Sequence, residues 1–138
     1  MKARVKWLDH MSFVGESGSG HSFVLDGSPD HGGRNLGVRP MESVLIGLGG
    51  CSAYDVMLML KKGRQDVTNC EIFLEAERAD RVPAVFTSIQ LTYVIEGRNL
   101  AEAQVQRAVT LSMEKYCSVT KMLETTVDIS HEVKMISD

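Results

Sequence analysis

From Ser43 to Leu60 the chain runs 18 residues with a single charge, Asp55. A stretch that long and that apolar either crosses a membrane or lies buried nearly all round in a protein core. Three glycines (Gly47, Gly49 and Gly50) and a carboxylate inside the segment argue against a membrane span. So do amphipathic strands elsewhere in the chain, which need something to cover. The reading is a buried helix. Pro40 opens it, since the missing N–H would be unpaired in the first turn anyway. Glu42 suits the positive end of the helix dipole. Lys61-Lys62-Gly63 closes it with cations in the last turn and a glycine just beyond. Such a helix is roughly 30 Å long.

Around it the periodicity is mostly that of strands. Ala3, Val5 and Trp7 alternate with Lys2, Arg4 and Lys6, which predicts a half-buried strand over 2–8. Phe13 to Glu16 and His21 to Leu25 read as two more strands, turned by Ser17-Gly18-Ser19-Gly20. Residues 27–39 carry four glycines and no periodicity, a loop long enough to suggest function. Cys70, Ile72, Leu74 and Ala76 share a face with Thr68. Val85, Ile89, Leu91, Tyr93 and Ile95 share another, and Asp80-Arg81-Val82-Pro83 turns the two strands into a hairpin. Asn99 to Tyr116 reads as a helix, Cys117 starts a shorter one through Leu123, and Val127 to Met135 alternate as a last strand. The order is βββ-α-ββ-α-α-β, an α+β fold. With 138 residues and no linker, residues 1–138 form one domain.

Composition excludes several functions. Lys+Arg number 15 against 18 Asp+Glu, a net charge of −3, so there is no basic field to hold nucleic acid or an anionic membrane. The N-terminus has alternating charges and no apolar core of a secretory signal, which points to the cytoplasm. His10, His21, His31 and His131 show no HxH, HExxH or CxxC…H spacing, so no zinc site is expected. His131, on the apolar face of the last strand, reads as a core histidine. Gly15 to Gly20 has no P-loop lysine, and no serine sits in a nucleophile elbow.

Three cysteines remain, an odd number that cannot be a fully paired disulfide framework. Cys70, on a strand's apolar face, reads as a small hydrophobe. Cys51 follows Gly49-Gly50 inside the apolar helix. Two glycines there mean either close helix packing or a break that frees N–H groups near the thiol and favours the thiolate. Cys117 stands at a predicted helix start, with Ser118 and Thr120 behind it. Two such thiols, in a chain without an export signal, fit a transient redox pair better than a permanent bridge.

The stretch Arg39-Pro40-Met41-Glu42-Ser43-Val44-Leu45 … Gly49-Gly50-Cys51-Ser52-Ala53 resembles the first cysteine helix of the OsmC/Ohr family (osmotically inducible protein C and organic hydroperoxide resistance protein). Cys117-Ser118-Val119-Thr120-Lys121 resembles its second motif, Cys-Pro-Val-Ser-Lys/Gln. Gly49-Gly50-Cys51-Ser52-Ala53 and Glu114-Lys115-Tyr116-Cys117-Ser118-Val119 are most similar to the YhfA-like branch. The specificity lies in the pair and its spacing, and the resemblance covers essentially the whole chain. It implies an intertwined homodimer in which β-sheets wrap long central helices and the active sites lie at the dimer interface. It implies a peroxidase mechanism: Cys51 attacks an organic hydroperoxide and becomes a sulfenic acid, Cys117 condenses with it, and a small thiol or lipoylated protein reduces the disulfide. No cofactor and no metal are implied. The family places a glutamate directly after the proline, where it holds a catalytic arginine. Met41 stands there in this chain and Glu42 comes next, about 100° further round the helix. Arg39 and Arg34 are the loop candidates for the arginine, with Arg4 a remoter one. An alternative reading keeps the fold and the thiols without the peroxidase: a redox-sensing or small-ligand-binding dimer.

Overall fold

A computed structural model describes all 138 residues. The chain divides into two compact units, Met1–Ile46 and Gly47–Asp138.

The first unit is an antiparallel meander of β1 (Ala3–Asp9), β2 (Ser12–Ser17) and β3 (Ser22–Leu25), in that spatial order. Trp7 pairs with Phe13 and Gly15 with Phe23. The Gly-Ser turn forms as expected, with Gly20 at φ +92°, a conformation that favours glycine. β1 departs from expectation. Every residue of it is exposed, Trp7 at 59%, so its apolar face is uncovered in the single chain.

The glycine-rich loop after β3 is not loose. The Asp26 amide donates to the Val38 carbonyl at 3.0 Å and the Val38 amide to the Val24 carbonyl at 3.2 Å, which closes the loop on itself. Two glycines make that closure possible. A Cβ on Gly33 would collide with the Gly27 carbonyl, and one on Gly37 with the Val24 carbonyl. Both obstacles are backbone, which cannot swing aside as a flexible side chain could.

The apolar helix, α1 (Pro40–Lys62), has the bounds that its proline and lysines predict. It begins in the first unit and continues into the second. Arg39 caps it: its carbonyl accepts the Ser43 amide at 3.0 Å, and the Glu42 carboxylate accepts the Arg39 amide at 2.8 Å. That is the return half of a capping box.

The second unit adds β4 (Asp66–Arg78), β5 (Phe86–Arg98), α2 (Glu102–Leu111), a π-helical turn (Ser112–Tyr116), α3 (Ser118–Leu123) and β6 (Asp128–Ser137). β5 is central, antiparallel to β4 and parallel to β6. Leu48, Val56 and Leu60 of α1, Ile89, Leu91, Tyr93 and Ile95 of β5, and Val105 and Val109 of α2 are buried in its core. The buried positions of α1 recur every four residues (Leu48, Ser52, Val56, Leu60), one stripe of the helix. Burial nearly all round is therefore not what one chain provides: Tyr54 is 73% exposed and Leu58 46%. By length and composition alone α1 could cross a membrane, with mean hydropathy 1.6 over its most apolar window, of which 28% is buried within this chain.

Two strand faces differ from expectation, for one reason. Register shifts between Val67 and Asn69 and between Glu77 and Arg78 insert an unpaired residue. A shift of one residue turns the rest of the strand to the other face. So Thr68 is exposed while Cys70 points inward, and Phe86 rather than Val85 is buried. His131 stands exposed on β6, edge-on to Tyr93 with ring centroids 6.3 Å apart, and is not a core residue.

Candidate functional site

Cys51 sits in the middle of α1, half-buried, in a helix unbroken through Gly49-Gly50. Of the two readings of Gly49-Gly50, packing or a break, the helix shows no break. Close packing explains Gly49: a Cβ there would lie 2.9 Å from Leu74 Cδ1. Cys51 is thus not a helix-start thiol. Cys117 is one. It is the N-cap of α3, fully buried, its amide bonded to the Ser112 carbonyl at 2.8 Å across the π-helical turn. That turn carries an extra residue relative to an α-helix and sets Cys117 where α2 and α3 meet.

The fold brings these two thiols together. Cys51 Sγ, Cys117 Sγ and a carboxylate oxygen of Asp55 all lie within 4.8 Å of one another. Asp55 comes one helical turn after Cys51, so both project from one face of α1. Burial pushes the Cys117 thiol up from its ordinary pKa. Thr120 opposes this through its hydroxyl and amide, and neighbouring Cys51 adds to it. Cys70 is half-buried with its thiol likewise pushed up by burial, and it remains the packing residue it resembles.

Behind the thiols runs a polar chain that the sequence pattern does not reveal. The hydroxyls of Tyr93 and Ser52 lie 2.5 Å apart, and those of Ser52 and Ser112 lie 2.8 Å apart. Ser112 Oγ lies 3.2 Å from Asp55 Oδ2, to which it can donate. All three hydroxyls are buried, and the chain leaves no buried side-chain polar atom unpartnered. Burial pushes the Tyr93 hydroxyl up to about 12 against the bond from Ser52, with the charges of Cys117, Cys70 and Asp55 adding to the rise. Tyr93 is therefore a neutral donor across the physiological range. Asp55 also lines an open cavity of about 780 Å³ with Leu58, Met59, Arg107, Leu111 and Tyr116. Cys51 and Asp55 at i and i+4, the latter the lone charge of an apolar segment, were the available signal.

Arg34, Arg39 and Glu42 belong to the first unit. The Arg34 guanidinium pairs with Asp9. The Arg39 guanidinium donates to Asn35 Oδ1 at 3.0 Å and to the Gly37 carbonyl at 3.2 Å. Glu42 accepts the Arg39 amide at the start of α1. The loop that carries both arginines is organised by Asp26, another residue that the sequence pattern does not single out. Its buried carboxylate accepts the Ser12 hydroxyl and the amides of Gly27, Leu36 and Arg34, at 3.1, 2.7, 3.1 and 3.4 Å. Burial alone would raise its pKa; the four hydrogen bonds together outweigh it and hold the carboxyl below its ordinary value.

The family model for OsmC-like proteins matches residues 31–132. Protein YhfA of Escherichia coli strain K12 is 48% identical over 137 residues, covering 99% of either chain. The crystal structure of a hypothetical protein from Aquifex aeolicus is 32% identical, covers 97% of this chain and 96% of its own, and superposes with a TM-score of 0.82. That of an organic hydroperoxide resistance protein OsmC from Legionella pneumophila is 16% identical, with 96% and 95% covered and a TM-score of 0.72, a likeness of fold. By the family model and by full-length identity to YhfA, the chain belongs to the OsmC family.

Proposed function

We propose that the chain is a thiol-dependent peroxidase for organic hydroperoxides, with Cys51 as attacking and Cys117 as resolving thiol. The observation that carries this is the approach of the two sulfurs to within 4.8 Å, from residues 66 positions apart. The Cys51 thiolate attacks one peroxide oxygen. The O–O bond breaks, the alcohol leaves with a proton, and Cys51 becomes a sulfenic acid. Cys117 attacks that sulfur, water departs, and a disulfide forms. A dithiol reductant, a small thiol or a lipoylated protein, returns two electrons. Burial suits Cys117 to the second role, since a thiol closed to solvent is spared direct oxidation. Arg39, Arg34 and Glu42 are the proposed activating groups.

The working unit in this proposal is a cytoplasmic homodimer in which residues 1–138 of each copy act as one domain. Its support is the apolar surface left open in the single chain, with Trp7, Phe73, Tyr54 and Leu58 all exposed. The family model spans both units of the chain, which supports reading them as one domain.

Stopped-flow mixing with cumene hydroperoxide and a dithiol tests the activity. Cys51→Ser abolishes turnover, and Cys117→Ser leaves a sulfenic acid that a dimedone-type probe traps. Absence of turnover with no loss of thiol titre at Cys51 would sink the proposal. Sedimentation tests the dimer. One observation favours the second reading, a redox-sensing or ligand-binding dimer: Nη1 of the Arg39 guanidinium is engaged by its own loop, at Asn35 Oδ1 and the Gly37 carbonyl. Thiolate absorbance already present at pH 6 would count against it.

A further inference from the structure

The cluster on α1 and α3 contains more than a redox pair needs. Disulfide exchange requires two sulfurs; a carboxylate oxygen lies beside them, all three atoms within 4.8 Å. Tetrahedral zinc, with Zn–S near 2.3 Å and Zn–O near 2.1 Å, sets its ligand atoms about 3.5 to 3.8 Å apart. The cluster is therefore within small side-chain adjustments of that geometry. Two soft thiolates with one carboxylate select a thiophilic cation over calcium or magnesium, which take oxygen ligands only.

We propose that the reduced chain binds a thiophilic divalent cation such as zinc through Cys51 Sγ, Cys117 Sγ and the Asp55 carboxylate, with a fourth position left to water. Two of the ligands come from one turn of α1, and the third from the N-cap of α3. Ser112 is placed to donate to the Asp55 carboxylate at 3.2 Å and so orient the ligand. Asp55 also borders the open cavity, so the carboxylate side of the cluster is the side open to solvent. Sequence motifs do not reveal this site because its ligands, a Cys-x3-Asp and a distant cysteine, include no histidine. Binding exchanges two thiol protons for the metal and leaves every sulfur's oxidation state unchanged. A disulfide between Cys51 and Cys117 offers no thiolate, so metal and disulfide exclude one another. Bound metal occupies both sulfurs and shields them from hydroperoxide. Metal binding requires only the reduced thiols and does not depend on peroxidase activity.

The test is anaerobic titration of the phosphine-reduced, metal-free protein with Zn2+ against a chromophoric chelator, repeated with Co2+ to read thiolate-to-metal charge transfer. One zinc per chain is expected, with a charge-transfer band in the cobalt form. Cys51→Ser and Cys117→Ser should each weaken binding at least tenfold and reduce the band. Cys70→Ser should change neither. Asp55→Asn should weaken zinc by about 10-fold to 100-fold while the three-thiol titre stays intact. Circular dichroism of each variant separates lost binding from lost fold. No retained zinc in the reduced wild type, equal retention by the disulfide form, or unaltered affinity in the folded Cys51→Ser or Asp55→Asn variant overturns the proposal. A peroxidase assay without added metal is independent of all these outcomes.

Discussion

Asp26 accepts four hydrogen bonds at the root of the glycine-rich loop; Asp55 accepts one, from Ser112, beside two thiols. Both carboxylates are drawn inward in their units, but their surroundings use them differently. Three backbone amides and a hydroxyl occupy the lone pairs of Asp26. It satisfies a loop that has no ladder of its own, where part-buried amides would otherwise lack a protein acceptor. Asp55 has lone pairs to spare, and they face sulfur. A saturated carboxylate holds structure in place; an unsaturated one next to nucleophiles is available for chemistry.

The largest effect should come from breaking the saturated one. Asp26→Ala removes four bonds at once and leaves three loop amides and the Ser12 hydroxyl without an acceptor. Hydrogen exchange of the Gly27, Arg34 and Leu36 amides should accelerate by about tenfold or more, since each orphaned group weakens the closed loop. Unchanged protection there would show that the Gly33 and Gly37 backbone contacts suffice alone.

Acid should reproduce part of that effect without a mutation. The folded-state pKa of Asp26 is lowered, so the ionised carboxylate contributes stability that is fully present above the unfolded value of about 3.9. That contribution is lost as pH falls through the lower, folded value. Limited proteolysis with an acid-active protease should therefore cut residues 27–38 increasingly below about pH 4. In Asp26→Asn the same loop should open with little pH dependence. An identical acid profile in both proteins would place the acid-sensitive group elsewhere.

The polar chain behind Asp55 gives a smaller effect. Ser112→Ala removes its bonds to Ser52 and to Asp55. Ser52 keeps Tyr93, so the half-buried Asp55 carboxylate is the group left without its side-chain partner. A stability loss of about 1 kcal/mol is expected in urea unfolding, against several for truncating a core residue such as Leu91. A loss comparable to Leu91→Ala would mean that the chain acts as one cooperative network.

Much of the fold was legible in sequence, because the signals were local. Proline, acid, lysines and glycine bound α1 where the helix lies. Strand alternation gave the order of elements, and glycine-cysteine and cysteine-serine motifs gave the thiol pair. The features that escaped the sequence depended on distant partners. Asp26 looks like any turn aspartate until Ser12, Arg34 and Leu36 converge on it. Ser52, Tyr93 and Ser112 come from three elements, and only packing joins their hydroxyls. The bulges that reverse Thr68 and Val85 arise from pairing with a second strand, not from either strand's pattern. The exposed face of β1 reads as half-buried because the alternation specifies an apolar face without naming what covers it.

The glycines of α1 separate those two kinds of information, and they carry the smallest expected effect. Gly49 has a partner within the chain, Leu74, whereas a Cβ on Gly47 or Gly50 would meet nothing within 4 Å. In an isolated chain, Gly50→Ala should stabilise by about 0.8 kcal/mol, the difference in helix propensity with no clash to offset it. Gly49→Ala should fall near neutral, because the end of the Leu74 side chain must shift to admit it. If a second copy packs against the open face of α1, the Gly50 result changes sign. The added methyl then separates two helices that small residues had let approach, and the dimer dissociates at higher protein concentration. Sedimentation of Gly50→Ala beside its unfolding curve distinguishes these outcomes. Higher stability with unchanged association places the partner away from this stripe, and weakened association places it on the face that one chain leaves bare.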